Sequence, residues 1–521
     1  MIAILLRRPG FAALLLGAAA ASGFAPLNLW PVALAALALW LMLVHAAANV
    51  RAALWRGWLF GWAHLTLANM WIAQAFTYQD AMPHWLGPPA VALLCVYLAI
   101  YPMMAAGLAW RWGKRHGPEG SALDLRFVLI AGAAWIVTEW LRGWALTGYP
   151  WPPLATMWVP VLGIAWSAAW VGTYALSGLT LVLAGSLALA VTGKWRAAAV
   201  AVPVVAALAV RGIDIPLTAP HLDPAAPRLR IVQPNLDQEQ RPRPDYAETN
   251  LQALLASSGA PGPAPRLILW PEGALRYLIE EGYPPQYYAA GDPIVTRRRI
   301  AAILGPRDIV LTGGNAVVFK PNGTVAAVTN SVFAINANGV ILSRYDKAHL
   351  VPWGEYLPWR PVLSMIGISR LVPGAFDFAP GPGPRTLPLP GFGAAGMLIC
   401  YEVIFSGEVM DAKHRPAFLF NPSNDSWYAR FGPEQHLAMA RLRAIEEGVP
   451  IIRATPTGIS AIVDADGRIT AQVDWGKTGA AEAVLPPPHA PTLFAMGGNW
   501  IALGVALLLT VLGVAIGRRA R

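Results

Sequence analysis

The sequence predicts a polytopic α-helical membrane domain joined to one large extramembrane α/β sandwich domain. Three observations carry this. Hydrophobic residues make up 56% of the 521 residues and charged residues only 13%, with a mean hydropathy of +0.46, outside the range of water-soluble domains. The apolar residues are concentrated: runs near the ~20 residues that cross a bilayer fill residues 1–212 and recur at 497–517. Between them, over 227–490, strand-like and helix-like stretches alternate as in a layered α/β fold.

The helices come first. Spans are placed near 9–25, 28–47, 53–77, 87–112, 126–147, 164–191, 195–212 and 497–517, about eight in all. The first is read as a retained helix, because a Pro-containing turn and a further span follow it at once. The net charge of +10 could suggest nucleic acid, but its placement points elsewhere. Arg7 and Arg8 precede the first span, Arg51 and Arg56 follow the second, and Arg111, Lys114 and Arg115 follow the fourth. Lys194 and Arg196 follow the sixth, Arg518, Arg519 and Arg521 close the chain, and the alternate loops hold almost no Lys or Arg. This positive-inside pattern orients both termini in the cytoplasm and sends the large domain to the opposite side, the periplasm in a bacterium. Trp30, Trp55, Trp58, Trp112, Trp144, Trp151 and Trp195 near span ends are expected to anchor at the interface. His45, His64, Glu139 and Arg142 are the main ionisable residues inside spans, with Glu139 and Arg142 spaced to pair at i, i+3. They are the support for a second class of reading, a transporter or receptor whose outer domain only binds.

The outer domain opens with the strand Leu229-Arg-Ile-Val-Gln-Pro, followed by strands at Arg266-Leu-Ile-Leu-Trp270 and Ile309-Val-Leu-Thr-Gly-Gly. Ser331 to Leu342 reads as a hairpin turning at Asn338-Gly339. A buried strand, Gly393-Ala-Ala-Gly-Met-Leu-Ile, runs into Cys400, and Ala417-Phe-Leu-Phe-Asn follows. A helix is expected from about Pro433 to Glu447 and a hairpin turn at Asp466-Gly467. Residues 281–294, rich in Tyr, Pro and Gly, and 373–391, rich in Pro, Gly and Phe, are read as irregular loops, either lids that meet lipid or poorly ordered connections.

The chain has two cysteines. Cys95 lies in an apolar segment, so the outer domain has no partner for a disulfide, and Cys400 is a free thiol at a strand end. Glu272 follows Leu-Ile-Leu-Trp-Pro at the end of another strand. Lys347 lies in Arg344-Tyr-Asp-Lys-Ala-His-Leu-Val-Pro-Trp-Gly-Glu-Tyr-Leu-Pro358. Taken singly, these are a small buried residue, a solvated loop carboxylate and a surface lysine. Together, a nucleophile, a base and a fixed cation are the parts of acyl transfer through a thioester. His349 and His436 show no ligand spacing for zinc, and no metal or other cofactor is expected.

Trp-Pro-Glu, Lys-x-His-Leu-Val-Pro-x-Gly-Glu and Cys-Tyr-Glu, in this order, resemble the nitrilase superfamily. Spans on both sides of such a domain, with Gly148-Tyr-Pro-Trp151 and Ser423-Asn-Asp-Ser-Trp427, resemble the apolipoprotein N-acyltransferase family more narrowly. The resemblance implies a nitrilase-like αββα sandwich. It makes Glu272 the general base, Cys400 the nucleophile and Lys347 an oxyanion partner, aided by the Tyr401 backbone N–H. Glu355 would position Lys347 or shuttle a proton, Tyr401 and Glu402 would shape the pocket, and Trp151 would touch lipid. The implied partners are a phospholipid acyl donor, typically phosphatidylethanolamine, and a diacylated apolipoprotein acceptor at the bacterial inner membrane, with no nucleic acid and a monomer sufficing. One departure is visible: the loop Val232-Gln-Pro-Asn-Leu-Asp-Gln-Glu-Gln-Arg-Pro242 lacks the family's tryptophan. A membrane-tethered amidohydrolase, using water in the second step, shares the same motifs and remains the alternative.

Overall fold

The computed structural model describes residues 7–78, 82–115, 122–199, 227–236, 243–365, 377–428 and 431–519. The N-terminal region is a helical bundle of α1 (Pro9–Ala21), α2 (Trp30–His45), α3 (Val50–Ala68), α4 (His84–Gly113), α5 (Leu125–Trp144) and α6 (Ala168–Val191). Ala- and Leu-rich sequence favours helix here, and the starts are marked by local chemistry. The Asn49 side chain accepts from Ala52 N at 2.9 Å, and Asp124 accepts from Phe127 N at 2.9 Å.

Among the described residues, three helices are long and apolar enough to cross a membrane: His84–Gly113, Ala168–Val191 and Asn499–Arg518. The expectation of about eight spans is therefore met only in part. Helices α1 and α2 are apolar but 13 and 16 residues long, while α3 and α5 carry Arg51 and Arg56, and Arg126, Glu139 and Arg142. The expected span 53–77 stops at Ala68, where Asn69 turns its side-chain amide onto Leu65 O at 2.8 Å. Most of the expected seventh span, beyond residue 199, lies outside the described residues.

The α/β domain that follows the bundle contains two six-stranded mixed sheets. The first has the order β12-β1-β2-β3-β4-β5, with β1 (Arg228–Gln233), β2 (Arg266–Leu269) and β3 (Ile309–Phe319) parallel in the middle and β4 (Val325–Asn336), β5 (Ile341–Asp346) and β12 (Gly479–Val484) antiparallel outside. The second has the order β11-β10-β9-β8-β7-β6. There β7 (Gly393–Met397), β8 (Phe418–Pro422) and β9 (Ile451–Ala454) run parallel, flanked by β6 (Thr386–Leu389), β10 (Ser460–Val463) and β11 (Ile469–Val473).

Period-two burial explains the layering. Leu267 and Leu269 face Met397, Phe418 and Phe420 between the sheets, while Ile268 and Trp270 turn outward onto α7 (Tyr246–Ser257) and α8 (Pro293–Ala301) through Leu254 and Ile300. Leu419 and Ile451 turn outward from the second sheet onto α9 (Gly432–Glu447) through Met439 and Ala444. The result is an αββα sandwich. Helix α9 is buried on two sides, because Ala438, Leu442 and Ile445 pack into the core of the N-terminal bundle. It ends at Gly448, which supplies the left-handed φ of 63° of a helix stop.

The two expected irregular loops differ from expectation. Within 281–294, the Tyr288 hydroxyl donates to Glu280 O at 2.7 Å and accepts from Tyr283 N at 2.9 Å, and the Tyr283 ring packs on Phe319. Residues 386–389 of the second segment form edge strand β6, and 378–381 are tied down by backbone hydrogen bonds. Phe378 N donates to Glu355 O at 3.0 Å and Gly381 N to Lys347 O at 2.7 Å. Residues 373–376, and 237–242 where the tryptophan is missing, lie outside the described residues.

Candidate active site

Each expected catalytic residue leaves the C-terminal end of a strand or the loop beyond it, and the sandwich brings them together. Glu272 follows β2, and its backbone passes directly over β3. A Cβ on Gly313 would lie 2.8 Å from Glu272 Cα, so only glycine lets the two approach this closely. Lys347 follows β5, and its N–H donates to Asn330 O at 2.8 Å. Cys400 follows β7 at the start of a 3₁₀ turn, Cys400–Ile404, with φ of 53°. A non-glycine residue in the left-handed region is strained and must be held there by its surroundings.

Those surroundings are explicit. The Cys400 carbonyl oxygen lies 3.2 Å from His436 Nε2 and accepts from Asn421 Nδ2 at 3.3 Å. Glu402, two residues on, accepts from Ile399 N at 2.6 Å, Tyr345 Oη at 2.9 Å, Ala348 N at 2.8 Å and His349 N at 3.0 Å. Burial pushes the Glu402 carboxyl up, and the His349 and Ile399 backbone donors, Lys347 and the Tyr345 hydroxyl oppose the rise. Glu402 thus ties the Cys400 turn to the Lys347 loop from beneath.

Around the thiol, charges are paired. Lys347 Nζ is 2.9 Å from Glu355 Oε2 and 3.6 Å from Glu272 Oε1, and its side chain is 1% exposed. Asn330 donates to both carboxylates, at 2.7 Å to Glu272 and 3.0 Å to Glu355. Val351 N donates to Glu355 at 2.8 Å. Glu272 Oε2 is buried and has no hydrogen-bond partner among the described residues. Burial pushes the Cys400 thiol up to about 12; Glu272 adds to the rise, and Lys347, the Asn424 backbone and Tyr428 oppose it. Burial works against the Lys347 charge, but Glu355, Glu272 and Cys400 hold the amine above the ordinary lysine range. The arrangement can deprotonate a thiol in place and balance a developing oxyanion with a fixed cation.

A second layer lies under the nucleophile. Arg453, fully buried on β9, donates to Asn421 Oδ1 at 2.7 Å, Ser423 Oγ at 2.9 Å and both Asp425 oxygens at 2.5 Å. Burial and then Arg453 push His436 down to about 4, so its ring is neutral. Cys400 O can only accept, which places a ring proton on Nε2, while Nδ1 lies 3.0 Å from Arg453 Nη2 and 3.2 Å from Asp425 Oδ1. Asn330, His436 and Arg453 escape sequence reasoning: none sits in a short motif, and only the folded sheets bring them to the thiol.

Residues 228–488 match the family model described as carbon-nitrogen hydrolase, and residues 16–186 match the apolipoprotein N-acyltransferase N-terminal domain. The apolipoprotein N-acyltransferase of Rhodopseudomonas palustris is 34% identical over 96% of this chain and 94% of its own. The chain belongs to the apolipoprotein N-acyltransferase family. The relative of the same name from Caulobacter vibrioides is 33% identical over 97% of this chain and 94% of its own. Among solved structures, Saccharomyces cerevisiae Nit3, a member of branch 10 of the nitrilase superfamily, is 21% identical over 50% of this chain and 90% of its own, at a TM-score of 0.36.

In this family member the helical region reaches the thiol from one side. Tyr401 Oη donates to Gly148 O at 3.0 Å. Trp151 is fully buried and packs on Trp71, Tyr428 and His436, with Nε1 donating to Gln435 Oε1 at 2.8 Å. Trp151 is thus a wedge between bundle and sandwich and not an exposed interfacial anchor. Trp55, Trp112, Trp144 and Trp195 remain exposed. The Glu139–Arg142 pair, at 3.7 Å, serves this wedge: Arg142 donates to Trp151 O at 2.8 Å and Pro152 O at 3.0 Å, and Glu139 accepts from Leu154 N at 2.9 Å. It braces a loop, which gives these two of the four residues that suggested transport a structural task.

Proposed function

We propose that the protein transfers an acyl chain from a membrane phospholipid to the α-amine of a diacylated apolipoprotein, through a thioester on Cys400. The observation that carries this is the unpartnered, buried Glu272 oxygen in a cluster whose other carboxylate oxygens are all engaged with Lys347, Asn330 and Val351. A thiol held near 12 is almost wholly protonated at neutral pH, so attack needs a base in the site.

In the first half-reaction Glu272 takes the thiol proton, Sγ bonds to the ester carbon, and the oxyanion forms beside Lys347 and the Tyr401 backbone N–H. Collapse breaks the carbon–oxygen bond, and Glu272 returns the proton to the departing lysophospholipid. In the second, the acceptor amine attacks the thioester, its proton passes to Glu272, and the carbon–sulfur bond breaks. The sulfur anion then recovers the proton. Glu355 positions Lys347, and Tyr401 and Glu402 fix the turn that carries the thiol.

Both substrates are membrane-anchored, and so is this reading of the chain: a monomeric, multi-pass protein of the bacterial inner membrane with cytoplasmic termini. The alternating basic loops support that orientation. Residues 1–212 and 497–517 then hold the spans, and 227–490 form a periplasmic catalytic domain accepting phosphatidylethanolamine as donor. The test offers the acylated protein a diacylated lipopeptide with a free or an acetylated N-terminus. Acyl transfer to the free amine alone is expected. Release of free fatty acid at the same rate with either peptide would instead make the protein a hydrolase.

A further inference from the structure

The oxygen of Tyr428 lies 3.5 Å from Cys400 Sγ, within hydrogen-bond reach of a sulfur. The assignment of Glu272, Lys347 and Cys400 gives this hydroxyl no task. Its ring is held on every side. Trp71 meets it edge-on at 4.5 Å, Trp151 at 5.7 Å and His436 at 5.7 Å. A Cβ on Gly432 would lie 2.5 Å from Tyr428 Cβ, so the glycine opening α9 makes room for this side chain. The Tyr428 backbone N–H donates to Asp425 O at 3.0 Å, which joins the ring's base to the Arg453 network. Two of the three aromatic neighbours, Trp71 and Trp151, come from the helical region, so bundle and sandwich together aim the hydroxyl.

The direction of this hydrogen bond follows from proton counting. In the mechanism proposed above the single thiol proton goes to Glu272, whose buried Oε2 has no partner among the described residues. The hydroxyl is then free to donate to sulfur. It stays protonated as well: burial, and after it the proximity of Cys400 and Asp425, hold the Tyr428 phenol well above its ordinary range.

We propose that the Tyr428 hydroxyl is a catalytic hydrogen-bond donor to the Cys400 sulfur, stabilising the sulfur anion when the thioester carbon–sulfur bond breaks. This rests on Cys400 being the acylated nucleophile and adds a residue to that mechanism. No proton leaves Tyr428 in the cycle. It donates to a neutral thiol at rest, to the anion during attack, and to the anion again as the amine expels it.

The two half-reactions should feel this donor unequally. A sulfur that binds its proton more weakly leaves faster but attacks less well, with a sensitivity of about 0.4–0.5 on the attacking side. Losing the donor lowers the fraction of thiolate and raises its nucleophilicity, and these partly cancel in acylation. Nothing offsets the loss when sulfur is the leaving group. Tyr428→Phe removes the oxygen and keeps the ring between its tryptophans.

The experiment measures both half-reactions separately in the full-length protein in detergent, following acylation by phosphatidylethanolamine and then aminolysis by a diacylated lipopeptide. Tyr428→Phe is expected to slow aminolysis by about tenfold, as for loss of one hydrogen bond to a charged group, and to change acylation by less than about threefold. Acyl-enzyme then accumulates at steady state. As a second probe, 3-fluorotyrosine in place of Tyr428 keeps the hydroxyl and makes it a stronger donor, and aminolysis should quicken. Aminolysis within twofold of the parent rate in either substituted protein overturns the proposal. Absence of any acyl adduct on the parent protein would instead remove the Cys400 mechanism itself, a separate failure read in the same assay.

Discussion

His436 Nε2 donates to the carbonyl oxygen of Cys400 at 3.2 Å, from a ring that burial and Arg453 keep neutral. The bond grips the one residue of this turn whose φ, 53°, is unfavourable for a side chain. His436 touches no reacting atom in this arrangement and acts by holding Cys400 in place. His436→Ala should lower kcat by roughly 3- to 10-fold, matching about 0.5–1.5 kcal/mol for one lost hydrogen bond, since Asn421 Nδ2 still donates to the Cys400 carbonyl. KM for the lipopeptide should stay within about threefold, because no substrate contact is removed. His436→Gln, which retains an N–H donor, should recover part of kcat. Steady-state rates across acceptor concentrations check all three.

Glu402 accepts four hydrogen bonds from two separate segments, 345–349 and Ile399. Glu402→Gln replaces one acceptor oxygen by a donor and sets it against another donor. Charged hydrogen bonds of this kind are worth about 1.5–3 kcal/mol each. Thermal unfolding in detergent should fall by several degrees, and acylation should be lost with it because the Cys400 turn and the Lys347 loop come apart.

Lys347 is the buried cation between Glu272 and Glu355. Lys347→Met removes the charge that balances the oxyanion and leaves two carboxylates facing one another. Acylation should drop by at least 10²–10³-fold, the usual cost of losing an oxyanion partner. Raising the pH should not restore it, since more thiolate cannot replace the missing cation. Single-turnover acylation between pH 6 and 9 measures this.

Glu447 offers a pH test away from the thiol. Burial, with Glu446 adding to it, holds its carboxyl up at about 7 against an ordinary 4.5. Below pH 4.5 folded and unfolded chains both keep the proton, and the group has no effect on stability. Between 4.5 and 7 the unfolded chain releases it first, so stability falls as pH rises, and above 7 the loss is constant at a few kcal/mol in order of magnitude. Glu447→Gln should therefore raise the melting temperature at pH 8 and leave it unchanged at pH 4.

What the sequence made legible follows from where chemistry is written locally. Glu272, Lys347, Glu355 and Cys400 each end or follow a strand within a short run of distinctive residues, and the structure brings those four together. Asn330 sits within a long strand, and its two carboxylate bonds exist only because β2 and the loop after β5 converge on it. Arg453 lies on a four-residue strand, and its partners come from 421–425 and α9. Trp151 read as an anchor because indole near a span end usually is one. Its burial depends on α9 docking against the bundle, a contact no local pattern encodes. The arginines of α3 and α5, which keep these helices out of the long apolar class, find partners inside the bundle such as Leu43 O and Trp112 O.

The central claim is the thioester on Cys400. The most direct measurement incubates the purified protein with phosphatidylethanolamine alone and weighs it intact. A mass gain of one acyl chain, removed by hydroxylamine and absent in Cys400→Ser, is the predicted result. An adduct that persists in Cys400→Ala, or no gain with the phospholipid left untouched, would contradict the account.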